Sequence, residues 1–259
     1  MPMSNDGTPD TRIERISRLR HRLLPTLQDE WHYVREFMRR RGLRIALLFA
    51  GILLPLIVFG ELAQEANETA APLFDEPVLR FAHTLANSGF DEFFVLVSAA
   101  GYAWGVVPFD LGLVVVLALL RRAREAWFAG AALGGSALLN MGAKRLWGRE
   151  RPGLWDSIAP EHTFSFPSGH AMGSATLATV LLLLAWPTRW RWPVAIAAAA
   201  FVVLVGLSRI YLGVHYPSDI LAGWAAAMVW AIGVYALVFR AGHPWQRPAA
   251  AVAQPTPPA

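Results

Sequence analysis

Three short polar stretches, each set between long apolar runs, hold the side chains with chemistry to offer. The last is Ser208-Arg209-Ile210-Tyr211-Leu212-Gly213-Val214-His215-Tyr216-Pro217-Ser218-Asp219. It puts a guanidinium, an imidazole and, four residues on, a carboxylate into one break. The middle one is Pro167-Ser168-Gly169-His170, and the first is Lys144-Arg145-Leu146-Trp147-Gly148-Arg149-Glu150-Arg151-Pro152. Together they supply cations, hydroxyl and backbone donors, and two histidines. That is equipment for holding an anion and acting on it, and we read the three breaks as converging on one phosphate.

Each break has a local logic. Pro217 suits the first turn of a helix, where its missing N–H does no harm. His215 then stands just before that helix and Asp219 in its first turn. A carboxylate there can accept from one imidazole nitrogen, fix the tautomer and leave the other nitrogen free. That is how a nucleophile is activated; an ordinary helix cap at an interface has the same spacing. Ser168-Gly169-His170 opens another helix, whose N-terminus offers free N–H groups and partial positive charge to an anion. Ser168 can cap that helix or donate directly, and Gly169 lets an oxygen approach closely. A plain Pro-Ser-Gly helix start with a chance histidine reads the same way. Pro152 biases Arg151 towards an extended conformation and so ends the preceding helix. The arginine fork suits two phosphate oxygens and Lys144 adds a point charge, although charge runs at a membrane edge are commonly just solvated.

The elements that must position these groups are apolar and helical. The chain has 259 residues, 55% of them hydrophobic and only 16% charged, well below the roughly 25% charged residues of a soluble domain. A span needs roughly 20 apolar residues. The runs predict six: Leu43–Leu62, one ending at Arg121, Trp127–Trp147, Ser168–Trp186, Pro193–Leu212 and Pro217–Phe239. The fold class expected is therefore all-α and polytopic. An amphipathic helix carrying Phe74, Val78, Leu79, Phe81, Ala82 and Leu85 lies at the interface between the first two spans. Asp110, near mid-bilayer in the second span, reads as the cap of a broken helix bonded to a neighbour. Residues 1–42 form a basic segment with a helix over 11–41, either on anionic lipid or packed at the cytoplasmic face. Residues 43–240 form the core, and 241–259 a Pro- and Ala-rich tail. No cleavable signal is visible, so the first run is expected to stay as an anchor. Cysteine is absent, which removes thiolate chemistry.

Charge orients the spans. The basic N-terminal segment, the Arg121–Arg124 turn, the Arg189–Arg191 turn and the tail fall on one side, which the positive-inside rule makes cytoplasmic. This pattern points to a membrane and not to a nucleic-acid partner. Lys144, Arg145, Arg149, Arg151 and Arg209 then sit outside, against the rule, and an anionic substrate accounts for them.

Taken together, the three breaks resemble the type 2 phosphatidic acid phosphatase family. Its pattern has Lys and, after six residues, Arg-Pro, here Lys144, Arg151 and Pro152. Then come Pro167-Ser168-Gly169-His170, and finally Ser208-Arg209, His215 and Asp219. The resemblance covers roughly residues 43–240, and the hydropathy sets aside the family's soluble haloperoxidase branch. It implies a metal-independent phosphatase without cofactor, acting through phosphohistidine. His215 would be the nucleophile, Asp219 its orienting partner and His170 the general acid and base. Lys144, Arg151, Ser168, Gly169 and Arg209 would hold the phosphoryl oxygens. The implied partner is a lipid phosphate in the cytoplasmic membrane, undecaprenyl pyrophosphate or phosphatidylglycerophosphate ahead of phosphatidic acid or lipid A. The same nucleophile would serve a phosphotransferase, and a phosphate-binding transporter is a more distant alternative. Oligomeric state is not encoded in these motifs.

Overall fold

The computed structural model describes residues 49–66 and 72–240. The basic N-terminal helix, the start of the first apolar run and the tail lie outside those residues. Among the described residues every regular element is helical. One π-helical turn, Phe49–Leu53, leads into α1 (Leu54–Glu65), with Pro55 in its first turn. Then follow α2 (Asp75–Thr84), α3 (Ser88–Ala100), α4 (Val106–Leu119), α5 (Ala123–Trp147), α6 (Gly169–Ala185), α7 (Arg191–Tyr211) and α8 (Pro217–Val238).

The amphipathic segment is realised as α2. Asp75 and Glu76 occupy its first turn and His83 its last, complementing the helix dipole. Leu79 is buried while Phe81 and Leu85 stay exposed. The second apolar run, whose start the sequence leaves open, is divided. Asn87 caps α3 by accepting from the Phe90 amide at 3.1 Å. The chain then turns before Gly105, where an added Cβ would lie 2.0 Å from the Ala100 carbonyl oxygen. Pro108 follows in the first turn of α4, where a missing N–H is tolerated. The helix therefore starts at Val106, with Gly105 at the cap position, and Asp110 does not cap it. The Asp110 Oδ1 atom is buried without a hydrogen-bond partner, which corrects the bonded-neighbour reading.

Helix α5 ends at Gly148, whose φ of 58° is the left-handed geometry that glycine adopts freely. The C-terminal helix α8 packs against α1, α5 and α6. Gly223 allows the tight part of that packing, since a Cβ there would come within 2.9 Å of the Ser168 carbonyl. Phe128, Leu177, Val180 and Ala231 fill the adjoining core. Ser136 and Thr176 hydrogen-bond across α5 and α6 at 2.7 Å.

By length and composition, α7 and α8 are long and apolar enough to cross a membrane. At 21 and 22 residues they reach about 30 Å, the thickness of a hydrocarbon core. The apolar helices α4 and α6 are shorter, at 14 and 17 residues. The other long helix, α5, has 25 residues and carries Arg124, Glu125, Lys144 and Arg145 near its ends.

Candidate active site

The predicted residues come together where α5 and α7 end and α6 and α8 begin, roofed by the 148–168 loop. His215 lies between α7 and α8 and is fully buried. Its Nδ1 is 3.4 Å from Asp219 Oδ2 and 3.3 Å from Ser165 Oγ. Ser165 Oγ in turn donates to Asp219 Oδ2. On the other edge of the ring, Nε2 is 3.0 Å from Arg151 Nη1. A guanidinium has no acceptor, so this contact requires a bare Nε2 lone pair and leaves the proton on Nδ1, facing Asp219 and Ser165. Burial holds the imidazole well below its ordinary pKa, and the charges of Arg151, Arg209 and Lys144 push the same way. The ring is thus neutral, tautomerically fixed and aimed by Nε2 into the cationic side of the site.

Asp219 serves both roles its spacing allows. It accepts from the Tyr216 amide at 2.9 Å, capping α8, and it faces His215. A third arm comes from a residue that the motifs do not contain. Arg149 Nη1 donates to Asp219 Oδ1 at 2.6 Å, and Arg149 Nη2 donates to Asp75 Oδ2 at 2.9 Å. Asp75, at the start of α2, also accepts from the Ser218 amide at 2.9 Å and the Ser218 hydroxyl at 2.5 Å. The Arg149 guanidinium lies 4.1 Å from the centre of the Tyr216 ring.

The cationic side is built from Arg151, Arg209 and Lys144. Arg151 also donates to the Val214 carbonyl at 2.6 Å, and it shares the Phe164 carbonyl with Lys144. Arg209 is buried in the last turn of α7 and donates to Ser98 of α3. Its Nε is buried with no hydrogen-bond partner. Ser168 caps α6 through a 3.4 Å bond from the Ala171 amide, and its own amide donates to the Asp219 carbonyl at 3.1 Å. The structure therefore uses its hydroxyl as a cap. Gly169 sits where an added Cβ would be 3.1 Å from Asn140 Oδ1. His170 follows, its ring 5.0 Å from that of Tyr102.

One further residue reaches both arginines and both histidines. Glu161, on the loop, pairs with Arg151 at 2.7 Å and with Arg209. It approaches His170 Nδ1 at 3.6 Å and His215 Nε2 at 3.9 Å. The motifs give no hint of it or of Ser165, because loop residues in an irregular stretch carry no period, nor of Asp75, which starts α2 outside the three breaks. Arg149 did leave a trace, as one of the cations on the side that the positive-inside rule disfavours.

This constellation can hold a tetrahedral oxyanion against a bare imidazole nitrogen. The PAP2 superfamily model matches residues 125–243, a stretch that contains all eight predicted site positions. Over this stretch the chain is similar to the PAP2 superfamily. Phosphatidylglycerophosphatase B of Bacillus subtilis (strain 168) is 27% identical over 173 residues, 65% of this chain and 85% of that protein. An undecaprenyl-diphosphatase of Sulfolobus acidocaldarius is 48% identical over a shorter stretch of 68 residues, 26% of this chain and 31% of that one. Among solved structures, the crystal structure of a transmembrane PAP2 type phosphatidylglycerolphosphate phosphatase from Bacillus subtilis superposes with a TM-score of 0.65. It is 25% identical, and the match covers 71% of this chain and 94% of that one. The PAP2 match thus agrees with the resemblance carried by the three motifs, and the overall helical fold is similar to that of a membrane PAP2 enzyme.

Proposed function

We propose that this PAP2 protein is an integral-membrane lipid phosphatase that hydrolyses a terminal phosphate or diphosphate through a phosphohistidine on His215. The observation that carries the reading is the meeting of Arg151 and Arg209 with a neutral, oriented imidazole in one buried cradle. The names of the similar proteins support a lipid phosphate substrate; our own reading puts undecaprenyl diphosphate first and phosphatidylglycerophosphate second. In this reading 43–240 is a six-span core in the cytoplasmic membrane. Both termini are cytoplasmic and the cradle opens to the outside at headgroup depth.

The residues divide the chemistry as follows. Nε2 of His215 attacks phosphorus as the bond from phosphorus to the leaving oxygen breaks. Asp219 holds the Nδ1 proton and offsets the positive charge that grows on the ring. Lys144, Arg151 and Arg209, with the Gly169 amide at the start of α6, take up the charge on the equatorial oxygens. Arg151 gives up its contact with Nε2 for an oxygen of the substrate. His170 protonates the leaving oxygen, and an incoming phosphate anion favours the imidazolium that it needs. His170 then takes a proton from water, which attacks phosphorus. The N–P bond breaks and inorganic phosphate leaves.

The test is release of inorganic phosphate from a panel of lipid phosphates and diphosphates in EDTA, paired with trapping of the intermediate. His170→Ala supplied with a radiolabelled lipid diphosphate is expected to accumulate acid-labile, alkali-stable label, because general acid–base help of about 10²–10⁴-fold is lost from hydrolysis. His215→Ala is expected to carry none. Label persisting in His215→Ala, or sitting on serine, overturns the assignment of the nucleophile.

A further inference from the structure

We propose that Glu161 is a specificity-determining residue: its carboxylate occupies the phosphate cradle and admits only ligands with more negative charge than its own. The inference rests on the phosphatase reading of this site and names the class of anion that the site accepts.

The geometry is that of a substituted ligand. Both Glu161 oxygens are engaged, Oε2 with Arg151 at 2.7 Å and Oε1 with Arg209. Oε2 stands 3.9 Å from Nε2 of His215, and Oε1 3.6 Å from Nδ1 of His170. Two oxygens on two guanidinium groups, in front of the nucleophile and beside the acid, reproduce what two phosphoryl oxygens would do. A phosphoryl group and the Glu161 carboxylate cannot occupy this space together.

Glu161 is also built to leave. It stands on the irregular 148–168 loop and not on a helix, and its side chain is 26% exposed while that of Arg209 is 2% exposed. It borders an open pocket of about 560 Å³, which Lys144, Arg145 and Phe164 also line, so there is room beside the cradle for the displaced side chain.

Charge decides which ligands displace it. The cradle holds three cations, Lys144, Arg151 and Arg209, and in the resting state Glu161 offsets one of them. The other nearby carboxylate, Asp219, is engaged by Arg149, which it shares with Asp75. A phosphodiester headgroup carries one negative charge. Exchanging Glu161 for it leaves the cradle no better neutralised, while desolvating a new group and fixing it in place. A terminal phosphate or diphosphate brings two or more charges and gains Coulomb energy from the exchange, in a site where screening by water is weak. A cradle opening at headgroup depth faces phosphodiester lipids throughout its surroundings. An internal carboxylate lets it ignore them, and it opposes rebinding of the phosphate product, which at neutral pH is largely a mixture of monoanion and dianion.

The experiment compares the full chain with Glu161→Gln, which keeps shape and removes charge, and with Glu161→Asp, which keeps charge and shortens the reach. Binding of inorganic phosphate is read by calorimetry in detergent, independently of turnover. Inhibition of lipid-phosphate hydrolysis is read in mixed micelles with and without phosphatidylglycerol as the phosphodiester. Glu161→Gln is expected to bind inorganic phosphate at least tenfold more tightly and to become inhibited by phosphatidylglycerol at mole fractions that leave the unaltered chain unaffected. Glu161→Asp should lie between the two. Phosphate binding that is unchanged or weaker in Glu161→Gln overturns the proposal, because Glu161 is then a brace that holds Arg151 and Arg209 in place. If the unaltered chain hydrolyses no terminal lipid phosphate, the phosphatase reading falls by itself, and the calorimetric comparison still decides whether Glu161 guards the cradle.

Discussion

Arg149 is the residue whose removal tests most directly how the nucleophile is held. Its side chain is 9% exposed and bridges two carboxylates, Asp75 and Asp219, that are both 0% exposed. It donates three hydrogen bonds, to Asp75 Oδ2, Asp219 Oδ1 and Ser218 Oγ. Removing one partner of a buried ion pair destabilises by about 3–5 kcal/mol, because the remaining charge is left unmatched. Arg149→Ala strands two such charges, so a loss at the upper end of that range is expected unless one carboxyl takes a proton. Asp75→Asn is milder. The amide oxygen can still accept from Ser218, and the loss is that of a charge-assisted bond, about 1.5–3 kcal/mol.

The consequence for catalysis is a split between kcat and KM. Arg149 touches no group of the cradle, so phosphate binding should persist and KM should stay within a few fold. Asp219 loses its third anchor and no longer fixes the Nδ1 proton of His215. Partners that orient a reactive ligand are worth about 10–100-fold, and kcat of Arg149→Ala in detergent micelles should fall by that order. Arg149→Lys should recover only part of it, since an ammonium cannot fork to both carboxylates. In a double-mutant cycle the Asp75→Ala and Arg149→Ala losses should fall short of adding, because they share one network. An Arg149→Ala variant with unchanged kcat, or one in which KM rises while kcat holds, would refute the positioning role.

Two more outcomes follow from charge. The pKa of His215 is depressed in the folded state, so the unfolded chain binds the extra proton first. This group's contribution to stability is therefore constant above about pH 6.5 and declines as the pH falls below it. The acid limb of kcat/KM from His215 should correspondingly lie well under pH 6.5, and Arg151→Ala, which removes one cause of the depression, should move it upward. The outward-facing site is tested by cysteine scanning, since the chain contains no cysteine. Asp156→Cys should react with an impermeant thiol reagent in intact cells and Arg122→Cys should not; the reverse pattern would invert the topology.

The part of the site that was legible in the sequence is the part carried by helix ends. His215 before Pro217, Asp219 in the first turn of α8 and Ser168 as the cap of α6 follow from capping rules that act over three or four residues. The structure places all three as those rules predict. Arg151 was legible through its place before Pro152, although the helix ends earlier, at Gly148, and not at Pro152. Glu161 and Ser165 were not, because their positions depend on how the 148–168 loop crosses the helix ends, and no local rule fixes that path. Asp75 reads as one acid among seven between residues 61 and 92. Only the docking of α2 against α7 and α8 separates it from the others by burying it. The helix break at Gly105 was missed for a different reason. Hydropathy stays high through both α3 and α4, and the turn is made by a close backbone approach that a hydropathy window does not register.

The buried network also resolves a conflict within the site itself. A carboxylate beside the nucleophile orients the imidazole, but a bare Asp219 would repel the phosphate that the cradle exists to attract. The ion pairs separate these demands. Arg149 neutralises Asp219 from the side away from His215 Nε2, and Asp75 takes up the rest of the guanidinium. Asp219 can thus accept a hydrogen bond from Nδ1 while part of its charge is offset on the side away from the substrate. On the far side of the ring, Arg151, Arg209 and Lys144 are left with Glu161 as their one close carboxylate among the described residues, and Glu161 is the one that can move. The orienting charge is locked by burial and the competing charge stands on a loop. That asymmetry lets a single pocket hold its nucleophile in one tautomer and still exchange the anion in front of it.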